Sequence, residues 1–455
     1  MDAIVRFAEH AASVRYEDLP GDTVSAAETF ILDTVGVGFG GSSGPMAGEL
    51  AACQAVAPAG EKGARVWSHG RRVGPAAAAL CNAYQVHNAE FDCLHEGAVA
   101  HVMSAVVPAA MAEAEAVGRV DGRRFIAAVA AGVDIASNIG LASASGLRFF
   151  RPATVGAFGA AAAVGNLRGF DRERMVNALS FAYGQLCGTM QAHEEGSMLL
   201  AMQVGFNARN GVVACDLAGA GFSGPLNVLE GRFGFYRLFE AGGDPQAAAA
   251  TLGEVWRVME LAHKPFPSGR ATHGLVDACL ELARRHGIRA EAIASIEARA
   301  PALISQLVGR PPRPDMDTNY ARLCARYVAA RALLAGTVAL DDFTPEACRD
   351  ETSQRLAAKI AILVREDCDP HKLVPIGVTV EMEDGARHEI ELAEVYGAPG
   401  RPMSREAQLE KFRANCRAAA RPLAQDAVER LITTLSNLRD VDDVGISVAD
   451  VLARS

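Results

Sequence analysis

Aromatic side chains are scarce in this sequence: Phe, Tyr and Trp make up 6% of its 455 residues, although half the chain is hydrophobic. Ala and 44 glycines carry much of the apolar content, which points to closely packed helices rather than a core built on large rings. Positive charge is also in short supply, with 44 Lys and Arg against 54 Asp and Glu and a net charge of −10. Such a balance argues against nucleic acid as the main partner. It also means that an anionic ligand would need a local cationic pocket set against the overall field. No uninterrupted apolar run reaches the roughly 18 residues of a membrane span, so no membrane association is expected. The start of the chain, Met1 to His10, lacks the basic segment, apolar run and small-residue cleavage site of a signal peptide. The ten cysteines include no C-x-x-C pair, which favours reduced thiols in a cytoplasmic protein over a disulfide framework or zinc ribbon. There is no G-x-S-x-G elbow. Gly36, Gly38, Gly40 and Gly41 imitate a phosphate loop, but that loop needs a preceding strand. Here an amphipathic helical pattern precedes them, so they read as a helix end and turn.

What is present is mostly helical periodicity punctuated by Gly and Pro. Helices are expected over 23–37, 75–86, 102–117, 123–140, 155–166, 173–183 and 204–220, with Pro108 kinking or starting one of them. Beyond about residue 255 the pattern changes. Residues 289–300 read as a strand, and 375–392 as a β-hairpin turning at Glu383-Asp384-Gly385. Helical spacing returns at 319–334 and 404–415. The expected fold is mainly α with a smaller α/β domain: a helical domain over 1–255, a lid-like α/β domain over 256–399, and helices over 400–455 that rejoin the first domain.

Titratable groups concentrate in one stretch. Within the twenty residues from Asn82 to His101 lie His87, Glu90, Asp92, Cys93, His95, Glu96 and His101, flanked by Ala-rich helices. Such clusters tend to mark sites. His101 can exchange protons near neutral pH, the alternative being a helix-start histidine bonded to backbone. Asp92 and Glu90 can orient an imidazole or serve as helix caps. The ligand types would suit a metal, but the spacing matches no zinc motif such as H-E-x-x-H, and no metal is expected. Cys93 is a poor nucleophile candidate, because neighbouring acids oppose its thiolate. Lys264, stiffened by Pro265 and Pro267, suits a carboxylate clamp or an enolate stabiliser.

Several segments, in order, resemble the MmgE/PrpD family. They are Ile31 to Gly38, Asn82 to Asp92 against N-G-x-x-x-H-x-x-D-F-D-D with His101 after it, and Phe158 to Ala162. They continue with Gly205 to Gly224, Leu229 to Tyr236, Lys264 to His273, and Gly397 to Phe412. The resemblance implies a two-domain fold, a homodimer and cofactor-independent chemistry without metal on small carboxylic acids. It makes His101 the leading acid/base, His273 the pocket histidine of the second domain, and Tyr327 a substrate-binding or packing tyrosine. The sequence also departs from the family pattern. A Lys of the family falls on Leu200, one His on Gln203, another on Phe150, and one Asp on Cys93. Arg151, Gln203 and His193 are candidates to replace what is lost, since an arginine fork can bind a carboxylate through two parallel bonds. Arg270 would add positive charge beside Lys264.

The expected activity is a dehydratase-type lyase reaction on a small carboxylic acid. His101, Lys264, His273 and Asp92 would be catalytic, and Glu90, Arg151, Gln203, Arg270 and Tyr327 would bind substrate. An isomerase or epimerase sharing the proton abstraction is the alternative, and a catalytically silent binding protein a further one. A decarboxylase ranks lower, because the departures fall where decarboxylating relatives keep Lys and His.

Overall fold

The computed structural model describes residues 1–55, 60, 62–144 and 146–453. Eight helices form the body of the first domain: α1 (Ile4–Ser13), α2 (Gly21–Gly41), α3 (Pro75–Asn88), α4 (Met103–Val117), α5 (Gly122–Leu141), α6 (Arg151–Leu167), α7 (Arg172–Tyr183) and α8 (Leu199–Gly219). Their boundaries follow local chemistry. Asp121 and Asp171 accept from the third backbone N–H of α5 and α7, and Pro75 and Pro152 sit in the first turns of α3 and α6. The helix α4 continues through Pro108 rather than starting there.

Small residues let these helices approach closely. A Cβ added at Gly159 would lie 2.7 Å from the Gly132 carbonyl oxygen, and one at Gly211 2.5 Å from the Ala160 Cβ. The glycines at 36–41 lie inside α2, not in a turn after it. They form a contact face, since a Cβ at Gly36 would meet the Phe412 ring at 2.5 Å and one at Gly38 the Trp67 ring at 2.6 Å. The α5 helix is long and apolar enough on average to cross a membrane, although it has no unbroken apolar run. Its most apolar window is 89% buried inside the protein, which makes it a core helix.

Two short ribbons pair β1 (Ala64–Val66) with β2 (Arg71–Val73), and β3 (Leu94–His95) with β4 (Leu261–Ala262). The second domain carries a sheet of β5 (Ile293–Ala300), β6 (Ile360–Val364), β7 (Ile376–Met382) and β8 (Arg387–Leu392) in the order β6-β5-β7-β8. β7 and β8 form the expected hairpin, with Glu381 opposite Arg387. β6 runs parallel to β5 and has no counterpart in the sequence reading. In β7, Ile376, Val378 and Val380 face the core and alternate with more exposed residues, so one face of the sheet is covered. α9 (His273–His286) covers it, with α10 (Ala325–Ala335) and α11 (Glu351–Ala358) packed behind. The expected helix over 319–334 breaks at Leu323 and Cys324.

The last helices, α12 (Arg405–Arg417), α13 (Gln425–Ser436) and α14 (Val444–Ala453), lie against the first domain, α12 and α13 on α2 and α14 on α4. Lys411 of α12 pairs with buried Asp33 of α2 at 2.7 Å and donates to the Phe91 carbonyl at 2.9 Å. One buried cation thus ties the end of the chain to the segment that carries Asp92. Gly159→Leu should force α5 and α6 apart and destabilise the protein by about 1–3 kcal/mol or more. An unchanged thermal midpoint would contradict the close packing.

Candidate functional site

The site is assembled where α3 ends. Helical spacing stops at Asn88, and Glu90 takes a positive φ of 50°, turning the chain sharply so that Asp92 points inward. β3 follows, and its pairing with β4 (Leu261–Ala262) brings Lys264, two residues past the end of β4, beside this turn. His95 closes the next loop. Its backbone exchanges hydrogen bonds with Ala100 at 2.9 and 3.2 Å, its Nδ1 accepts from the Ala98 N–H at 3.1 Å, and its Nε2 lies 2.8 Å from Glu260. Val99, in that loop, also has positive φ (49°). This is a strained conformation for a β-branched residue, and such strain gathers at functional sites.

Four ionisable groups then meet around Asp92, itself fully buried. Its Oδ2 lies 2.8 Å from His87 Nδ1 and 3.0 Å from His101 Nδ1, and it also accepts from the Ser104 hydroxyl. Lys264, with no exposed surface, places Nζ 2.7 Å from Glu90 Oε2, 3.1 Å from the Glu90 carbonyl and 3.7 Å from Asp92 Oδ1. Burial opposes ionisation of both carboxyls, but the surrounding cations and N–H donors win. Lys264 and the two histidines bring Glu90 down to about 2, and His101, His87 and Lys264 hold Asp92 well below the usual carboxylate range. The two imidazoles diverge. Burial disfavours charge on His87, but Asp92 and Glu90 outweigh it and raise its pKa. For His101, burial joined by the Lys264 charge prevails over Asp92, and its pKa is lowered. Asp92 next to Nδ1 favours the proton there, which leaves Nε2 as the basic nitrogen of His101.

His101 and Glu90 form part of the wall of a narrow cleft between the domains. Arg270 also borders the cleft, but its guanidinium is engaged: Nε donates to Glu96 at 2.7 Å, and Nη1 and Nη2 donate to the carbonyls of Tyr396 (2.7 Å) and Val395 (3.3 Å). His193 also lines the cleft, and burial beside Arg310 brings its pKa down to about 4.

The structure therefore unites His101, Asp92, Glu90 and Lys264, and leaves other candidates elsewhere. His273 is fully buried behind the cleft, with Nε2 3.2 Å from the Ser268 carbonyl and Nδ1 3.4 Å from Arg270. The Arg151 fork clasps Glu240 at 3.0 and 3.1 Å, so a carboxylate of the protein occupies it. Gln203 binds the Thr189 backbone through both ends of its amide, at 2.6 and 3.3 Å. Tyr327 is buried and donates to the Asp342 carbonyl at 2.7 Å. Phe150, where the family pattern has a histidine, lines the cleft, whereas Leu200 lines a smaller cavity behind Glu90 and His87. Sequence reasoning missed Glu96 as the partner of Arg270, Ser104 as a donor to Asp92, and the apolar cleft wall. His87, Asp92 and His101 could also hold a metal ion, their ligand atoms lying within 4.8 Å of one another. The Lys264 ammonium already supplies a balancing cation there.

A helical domain joined to a small α/β domain, with an Asp-backed histidine at the cleft between them, defines the class. Residues 5–248 match the MmgE/PrpD N-terminal domain and residues 266–438 the MmgE/PrpD C-terminal domain, and the chain belongs to that family. It is 27% identical over 457 residues to cis-aconitate decarboxylase of Homo sapiens, covering 97% of this chain and 92% of that protein. It is 31% identical over 292 residues to cis-aconitate decarboxylase of Aspergillus terreus (strain NIH 2624 / FGSC A1156), covering 61% of this chain and 59% of that protein. These relatives are named as decarboxylases, which are lyases.

The two imidazoles should be distinguishable by nitrogen NMR. At pH 6.5 the His87 ring should be protonated and the His101 ring neutral. Matching titrations at the ordinary histidine value would contradict the charge arrangement.

Proposed function

We propose that this protein is a lyase that removes the proton α to a carboxylate of a small acid, with His101 as the base and no bound cofactor. The observation that carries this reading is the His101 ring at the wall of the interdomain cleft, with Asp92 Oδ2 3.0 Å from its Nδ1. Removal of the α-proton places negative charge on the substrate carboxylate as an enediolate. His193, kept neutral, can donate a hydrogen bond to that charge, as neutral imidazoles do when they polarise carbonyls. In dehydration a β-hydroxyl then leaves with a proton, so that substrate becomes alkene plus water. Lys264 is shielded from the cleft by Glu90, so it acts as a positioning residue through Glu90, Asp92 and the field it exerts on His101.

Decarboxylation is the second reading, favoured by the names of the relatives. There CO2 leaves, and protonated His101 delivers a proton to the carbon that carried it. The products separate the two: water and an unsaturated acid that keeps every carboxyl, or CO2 and an acid with one fewer. Exchange of the α-proton with deuterated solvent, without elimination, would point to an isomerase.

His101→Ala should lower kcat by about 10²–10⁴ while the protein stays folded by circular dichroism. Lys264→Met should also move the acid limb of kcat/KM to higher pH, because the ammonium no longer opposes charge on His101. A purely structural role would lower activity without moving that limb. Full activity of His101→Ala would overturn the assignment.

A further inference from the structure

Charge around the cleft is balanced within the protein. Glu90 and Asp92 face Lys264 and His87, two negative groups against two positive, and Arg270 is matched by Glu96. Bringing a di- or tricarboxylate into this space would set its extra charges against Glu90 and Glu96, which both border the cleft, with no unpaired Lys or Arg among the described residues of the wall to meet them. The remaining wall is apolar. Leu147, Phe150, Met190, Leu303, Leu307 and Leu373 face the same space from both domains. Phe150 stands 5.8 Å, centroid to centroid, from the His87 ring, so apolar surface reaches the acid–base cluster itself. Behind His193, Arg310 donates Nη2 to the His193 carbonyl at 2.8 Å. His193, on the wall, can donate to one carboxylate.

We propose that the cleft takes a monocarboxylic acid whose β-carbon carries an apolar substituent, rather than a di- or tricarboxylic acid. This rests on the proton-abstraction reading above and narrows its substrate class. The reaction balances as before: the α-proton passes to His101, the β-hydroxyl leaves with a proton as water, and a 2-alkenoate forms. Each buried methylene of the substituent should tighten binding about fourfold until the wall is covered.

The test uses the full-length protein with β-hydroxy acids that differ only in that substituent: 3-hydroxybutanoate, 3-hydroxyhexanoate and 3-hydroxyoctanoate, against malate and citrate. Dissociation constants come from calorimetry, and α-deuterium exchange and alkene formation from proton NMR. The expected result is stepwise tightening along the alkyl series, with malate and citrate at least tenfold weaker than 3-hydroxyhexanoate. Leu307→Arg, or Leu373→Arg if the first does not fold, should reverse that preference by adding a cation to the apolar wall. Malate or citrate binding as tightly as the alkyl acids overturns this proposal, and their turnover would leave the proton-abstraction reading standing. No binding by any alkyl acid also overturns it. Alkyl acids that bind in the predicted order without exchange or elimination would uphold the substrate class and sink the proton-abstraction reading instead.

Discussion

The Lys264 ammonium, sealed from solvent between Glu90 and Asp92, is the interaction on which the rest of the site depends. An unpaired charge at that depth would be prohibitively costly, and two carboxylates without it would repel each other and take up protons. With it, both stay ionised, His87 gains a proton and His101 is kept without one. Lys264 comes from the segment after β4 that leads into the second domain, whereas both acids come from the turn after α3. One ion cluster thus sets the protonation states of the site and fixes the position of the second domain's entry segment against the first domain.

Other buried pairs extend the same logic outward. Lys411 with Asp33 anchors α12 beside Phe91, and Arg270 with Glu96 joins the cleft wall to the loop before His101. These are hydrogen-bonded and well aligned, which is what makes burial of charge tolerable. Because each cation is matched close by, little positive charge faces the cleft, and its walls are free to be apolar.

Much of this was legible in the sequence because it is local. Helical period and Gly/Pro punctuation located the helices of the first domain, and Asp384-Gly385 located the hairpin. The cluster from His87 to His101 stood out because acids and bases are rare in the Ala-rich sequence around it. What was not legible depends on distant pairing. β6 is a short apolar run that becomes a strand only by lying parallel to β5. Arg151 looked like a substrate clamp until Glu240 was found in its fork, and Arg270 looked free until Glu96, 174 positions away, was found against it. Leu303 and Leu307 have the spacing of ordinary core residues, and nothing local marks them as a cleft wall. The glycines of α2 were placed in a turn because their packing partner, α12, enters only near the end of the chain.

The most direct measurement of the central claim is a double-mutant cycle on the stability of Glu90→Gln, Lys264→Met and the pair together. Each single change should cost about 3–5 kcal/mol, because it strands a buried charge. The double variant should cost clearly less than the two added together. Strictly additive losses would mean that Lys264 and Glu90 do not hold each other, and the account of the site built on that contact would fall.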